Sequence, residues 1–354
     1  MSSNVAFEPD IPSSQTRYQE TALERNGLKL ETGAPVTVAV LTGVYVVAGF
    51  GDGTVRFFHP ELPPILVQAH EGVVLSMVAD CQADNVLTGG DDGRFLKVSP
   101  QGKIEEIANF GTRWVDCVAV GPEGYACSSG RAAYVWAAGD RKARILEHPS
   151  TVGGLAFDEG GTKFAVAHYG GATIWEHHKR RWKAKKMVWK GSHGAVSFSP
   201  DGKYVVTTMQ ENALHSWRLR DKKDMAMSGY PAKVKSFVWV GDEPYLATSG
   251  ADEAIGWSFA GKDGPLGRTA DTCAHGGNQL CTAVAGLLGV SGVFAGFADG
   301  SVVAGKFDSD YTDLMIKRAG GAPVTALAVS PEGWILVGEE SGDLLWGNLR
   351  GVSH

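Results

Sequence analysis

One kind of turn comes back along this chain at a nearly fixed interval. It reads GFGDGTVRFF at 49–58, GGDDGRFLKV at 89–98, SGADEAIGWS at 249–258, GFADGSVVAG at 296–305 and EESGDLLWGN at 339–348. In each, a short Gly- and Asp-bearing turn joins two apolar alternating runs, and both residue types accept the positive φ that a tight hairpin demands. The spacing is roughly 40 residues or a multiple of it. Alternation with period two between turn clusters reads as strand, and no window across the repeats sustains a helical period. The chain is thereby constrained to many short antiparallel strands.

The repeat is longer than one hairpin. First strands open at PVTVAVL (35–41), WVDCVAV (114–120), TVGGLAF (151–157), KVKSFVWV (233–240) and PVTALAV (323–329), and eight three-strand units start near Val36, Val73, Val115, Val152, Ala195, Val234, Leu280 and Val324. Three units lack Asp-Gly and close their third strands with Trp136, Trp175 and Trp217. Fourth strands follow seven units, the weakest near 266–273, whereas the eighth unit has none. The alternating segment Gly27–Glu31 supplies the missing strand if it pairs with the last unit, which closes a ring and removes exposed sheet edges. Burial of Leu28 and Leu30 in that joint would contribute about 1.5–3 kcal/mol each. The expected fold is all-β: an eight-bladed β-propeller of four-stranded antiparallel blades, closed by an N-terminal strand. Seven blades plus an appended hairpin is the alternative, should the weak sixth unit merge with a neighbour. Residues 1–22 read as a polar, partly disordered arm with helical character over 16–25, and 23–354 as a single domain.

These units resemble the WD-repeat β-propeller family, most closely its eight-bladed members, over about nine-tenths of the chain. The family places a His before each first strand, an Asp in the turn after the second and Trp-Asp at the end of the third. Here the positions are filled in part. His70 accompanies Asp92 in the second unit, with Val98-Ser99 in place of Trp-Asp. His148 accompanies Trp175 in the fourth, and His193 accompanies Trp217 in the fifth. Asp52, Asp252 and Asp299 hold the turn position in other units. The resemblance implies that these residues and Trp136 are structural, and that the molecule is a protein-interaction scaffold.

The formal net charge of −6 argues against a general nucleic-acid binder. Five cysteines without a Cys-x-x-Cys pair make neither a disulfide framework nor a zinc ribbon, so a reducing compartment is expected. The first twenty residues lack the charged start and apolar core of a signal peptide, and no apolar run is long enough to span a bilayer. A cytoplasmic monomer is the expectation.

By the family's geometry, loops before first strands and turns after second strands share one face. That face collects the acids Asp52, Asp91, Asp92, Glu211, Asp252, Glu253, Asp299, Glu339 and Glu340. Larger groups join them at Phe50, Phe110, Arg113, Trp114, Tyr169, Tyr230 and Phe297. Turn geometry alone accounts for Asp52, Asp92, Asp252 and Asp299. The docking set is therefore Phe50, Asp91, Phe110, Arg113, Trp114, Tyr169, Glu339 and Glu340, suited to a protein partner offering a basic segment.

A second candidate is the hairpin tip Lys179, Arg180, Arg181, Trp182, Lys183, Lys185 and Lys186, which could meet nucleic acid or an anionic surface. His148, His168 and His193 lie in neighbouring units, but no spacing enforces a tetrahedral site, so neither metal nor cofactor is expected. No nucleophile elbow, zincin motif or phosphate loop is present, and an enzyme at the channel mouth is the runner-up reading.

Overall fold

The computed structural model describes residues 19–80, 84–178, 181–287, 289–307 and 312–350. Within them the chain folds into antiparallel sheets arranged in sequence order. Each unit lays its first strand innermost and its fourth outermost, as in Val36–Leu41, Val46–Phe50, Thr54–Phe58 and Ile65–Gln68. Units six and seven are complete four-stranded sheets, and the outer strand of unit six is the short Asp271–Cys273.

The blade count corrects the sequence expectation. The described strands form seven sheets, not eight: six of four strands and one of six. The merger is not at the weak sixth unit. It joins units four and five through one unbroken strand, Arg181–Phe198. The first leg of that strand pairs with the strand Lys163–His178, from His178 opposite Arg181 to Gly171 opposite Val188. Its second leg pairs with Tyr204–Met209, from His193 opposite Met209 to Phe198 opposite Val205. The connection carries no Pro and no Asp, and the strand runs on through Gly191, which takes a φ of +107°. Inner strands also approach unusually closely here: a Cβ on Gly153 would lie 2.3 Å from the His193 carbonyl oxygen.

The ring closes where the sequence runs short of a strand. Leu28–Glu31 pairs antiparallel with Asp343–Asn348, placing Leu28 opposite Trp346 and Glu31 opposite Asp343. Leu30 is half-buried, but Leu28 stays 40% exposed, so the joint gains less apolar burial than both leucines would supply. More comes from the helix Ala22–Asn26 just before it, whose Leu23 is buried between the last two sheets. Thr21 caps this helix, accepting from Glu24 N–H while Glu24 accepts from Thr21 N–H, and the Thr21 hydroxyl donates to the Ile316 carbonyl at 2.8 Å.

Inner strands are also tied to one another by hydroxyls. Thr37 donates to Val74 O at 2.7 Å, Thr282 to Val324 O at 2.7 Å, and Thr325 to Val36 O at 2.5 Å. Each threonine sits at a register shift in its strand, which turns the side chain toward the next sheet. The Thr325 bond joins the last sheet to the first.

Candidate functional site

Antiparallel order brings the turns after second strands and the loops before first strands to the same end. Backbone bonds stitch them together: Gly51 N–H donates to Pro35 O, Phe110 N–H to Gly93 O, Ala298 N–H to Leu280 O and Glu340 N–H to Pro323 O. Asp52 and Asp299 make matching turns. Asp52 Oδ1 accepts from Thr54 N–H at 3.0 Å and its hydroxyl at 2.7 Å, and Asp299 Oδ1 accepts from Ser301 at the same two distances. At this end a cavity of about 650 Å³ opens among the inner strands, with Lys235, Thr37, Thr325 and Glu340 in its wall.

The expected docking set divides. Trp114 and Tyr169 stand 56% and 65% exposed, and among the described residues they are the only tryptophan and tyrosine so placed. Tyr169 lies within the strand Lys163–His178, at its register shift, and its backbone N–H donates to Ser150 Oγ at 2.8 Å. Arg113 and Glu340 are exposed, while Asp91 is half-buried. Asp91 Oδ1 is buried without a hydrogen-bond partner among the described residues. Phe110 is half-buried against Tyr134, with the Arg113 guanidinium 5.9 Å from its ring centre.

Two members of the set are inside the protein. Phe50 is fully buried, with Arg56 4.4 Å over its ring, and cannot meet a partner. Glu339, expected on the surface, is 2% exposed. Its carboxylate accepts from Lys317 Nζ at 2.9 Å and from Ala322 N–H at 2.9 Å. The sequence could not reveal this, because Lys317 belongs to another unit. Tyr230 and Phe297 are buried as well.

The residues read as structural are tied into blade networks. His70 Nδ1 lies 2.9 Å from Asp92 Oδ1 and its Nε2 2.8 Å from Thr88 Oγ1. Burial holds the His70 pKa below its ordinary value, opposed by the Asp92 hydrogen bond. The Trp175 indole N–H donates to His148 Nε2 at 3.0 Å, and His193 Nδ1 lies 2.7 Å from Thr207 Oγ1. Trp217 and Trp136 are buried. Asp252 is exposed, and its carbonyl accepts from Gly276 N–H. In unit six, Tyr230 takes the histidine's place: its hydroxyl lies 2.8 Å from Thr248 Oγ1 and accepts from the Trp257 indole N–H at 2.7 Å. The aligned spacing of Tyr230, Thr248 and Trp257 was the available signal.

Sequence reasoning also passed over Asp116, Lys235 and His275. Asp116 and Lys235 follow Val115 and Val234 as Thr37 follows Val36, so alignment of first strands could have found them. Asp116 is half-buried, and burial raises its carboxyl pKa. His275 bridges Glu253 at 3.0 Å and Asp313 at 2.6 Å, and the Asp313 bond holds its pKa above the ordinary imidazole value. Both ring nitrogens are thereby occupied. Among the described residues, no group of three or more His, Cys, Asp or Glu is placed to hold a metal ion.

Of the basic hairpin, Lys179 and Arg180 lie outside the described residues. Arg181, Lys183 and Lys186 are exposed, and Lys185 Nζ donates to Leu219 O. Trp182 is half-buried, stacked on His177 at 4.7 Å, with the Arg144 guanidinium 5.9 Å from its ring centre. No described helix is long and apolar enough to cross a membrane.

No family model matches the chain, and no curated protein matches it. Solved structures do. The computationally designed Ika8 protein is similar with a TM-score of 0.67 and 17% identity, covering 92% of this chain and 100% of its own. The WD40 β-propeller domain of Doa1 is similar with a TM-score of 0.60 and 12% identity, covering 94% and 98%. At these identities the likeness is one of fold: the chain is an all-β propeller of antiparallel blades, similar to a WD40 domain along nearly its whole length.

Proposed function

We propose that this chain is a non-enzymatic scaffold, a single propeller over 23–354, whose turn face captures a segment of a partner protein. Trp114 and Tyr169 are its anchors, with Arg113 and Glu340 exposed on the same face. The observation that carries this reading is the exposure of those two rings, at 56% and 65%, at one end of the ring. Large aromatic side chains left open to water on a rigid frame are the groups that dominate interface energetics. The exposed acids Glu211, Asp252 and Glu340 at the same end favour a basic segment. The likeness to a WD40 domain supports an interaction role by analogy of fold. We expect a monomer acting in the cytoplasm.

The test is affinity capture with the wild-type chain and with Trp114→Ala/Tyr169→Ala, read by quantitative mass spectrometry. A partner held by these rings is depleted at least tenfold in the variant, since each anchor contributes about 2 kcal/mol or more. Equal recovery by both proteins removes this face from the account.

A further inference from the structure

The fused sheet gives unit four an outer strand unlike the others. The remaining outermost strands run from three to six residues. The leg 181–188 pairs with its inner neighbour through eight consecutive residues. Among the described strands nothing pairs with the opposite edge of this leg. A long unpaired strand edge is a template for another strand.

The side chains along it are charged in one sense. Arg181, Lys183, Lys186 and Lys190 are exposed, and among the described residues none of them forms an ion pair. Arg144 adds a further cation from the adjoining outer strand, beside Ile145 at 59% exposure. Val188 is 73% exposed on the leg itself. On a chain of net charge −6 this is a local reversal of sign.

We propose that the edge 181–188 binds an acidic, extended peptide segment by strand addition. Successive side chains of a strand point to opposite sides, so Arg181 and Lys183 flank one side of the edge and Lys186 the other. Charges on both sides embrace a strand lying in the plane of the sheet. A bilayer would meet one side only. Single-stranded nucleic acid needs open rings for stacking, and the one ring on this leg, Trp182, is covered by His177 and Arg144. Acidic residues of the peptide pair with the cations, while apolar residues between them reach Val188 and Ile145.

The experiment is fluorescence anisotropy on the full chain with a labelled eight-residue peptide of alternating Glu and Val. Parallel arms use the same peptide N-methylated at every second amide, a Lys-Val counterpart, phosphatidylserine vesicles and a single-stranded oligonucleotide. Binding of the Glu-Val peptide is expected, with at least tenfold loss on N-methylation and on Lys183→Glu/Lys186→Glu. The charge-reversed variant is checked by its thermal midpoint, and Lys183→Gln/Lys186→Gln with a several-fold loss serves if it misfolds. Equal affinity for the N-methylated peptide, or binding to vesicles or oligonucleotide in place of the peptide, overturns the proposal.

Discussion

Lys317 Nζ lies 2.9 Å from Glu339 Oε1, and the two side chains are 14% and 3% exposed. Lys317 ends the outer strand Leu314–Lys317 of one sheet, and Glu339 ends the second strand Trp334–Glu339 of the next. Lys317 also donates to Gly300 O at 2.8 Å, while Glu339 Oε2 accepts from Ala322 N–H at 2.9 Å. The pair therefore locks two sheets under the turn face. Breaking a buried pair from one side leaves the other charge stranded. Glu339→Gln is expected to cost about 3–5 kcal/mol in denaturant unfolding, whereas exposed Glu340→Gln should change stability by less than about 0.5 kcal/mol. Similar values for both would show that the pair is not structural.

Stability should fall on mild acidification. Burial drives the pKa of His148 and of His215 down to about 4. Asp224 opposes this for His215 but stands 3.4 Å from Nε2, and burial dominates. With native values near 4 and an unfolded value of 6.5, the unfolded chain binds more protons between those limits. These groups impose no penalty above pH 7, and the native state loses ground as pH drops from 6.5 toward 4. Thermal midpoints at pH 7.5 and 5 should differ clearly, and His215→Phe, which keeps the stacking on Trp189, should flatten the slope. A midpoint constant across that range would contradict the buried neutral imidazoles.

The threonine ties make a sharper test of ring closure than truncation does. Thr325→Val keeps the shape but leaves the Val36 carbonyl without its hydroxyl donor. Expected destabilisation is about 1–2 kcal/mol by chemical denaturation. Thr42→Val, whose hydroxyl makes only local contacts in a loop and with Asp84, should cost less. The reverse order would mean the inner ring is not held by these bonds.

Tyr230→Phe probes the substitute network of unit six. Removing the hydroxyl strands the Trp257 indole N–H, while the Thr248 hydroxyl keeps its bond to Ile255 O, at a cost of about 1–3 kcal/mol. Full stability in the Phe variant would reduce Tyr230 to packing alone.

Much of the fold was legible because it is local. Asp52-Gly53, Asp92-Gly93 and Asp299-Gly300 mark hairpins whose glycines take φ of +81°, +78° and +81°. The fusion of units four and five was harder to see, because Gly191-Ser192 and Gly194 read as a turn between two strands, whereas the backbone stays paired through them. Divided there as its neighbours are, the run yields one blade too many. The site was legible only in part for a different reason. Trp114 and Tyr169 show as aromatics at the turn end that no turn requires. Phe50 and Glu339 both end second strands, yet Phe50 packs into the core around Val36 and Phe58, and Glu339 is held by Lys317 from a separate unit. Turn position places a residue at an end of the ring but does not decide whether it faces water.

The most direct measurement of the docking claim is site-specific photo-cross-linking. A benzophenone amino acid is placed at exposed Thr112, beside Trp114 on the turn face, and at Leu66, 56% exposed on an outer strand. The account predicts a discrete protein adduct from position 112 that is suppressed by Tyr169→Ala, and no such adduct from position 66. Adducts from position 66 alone would place the partner on the rim and contradict it.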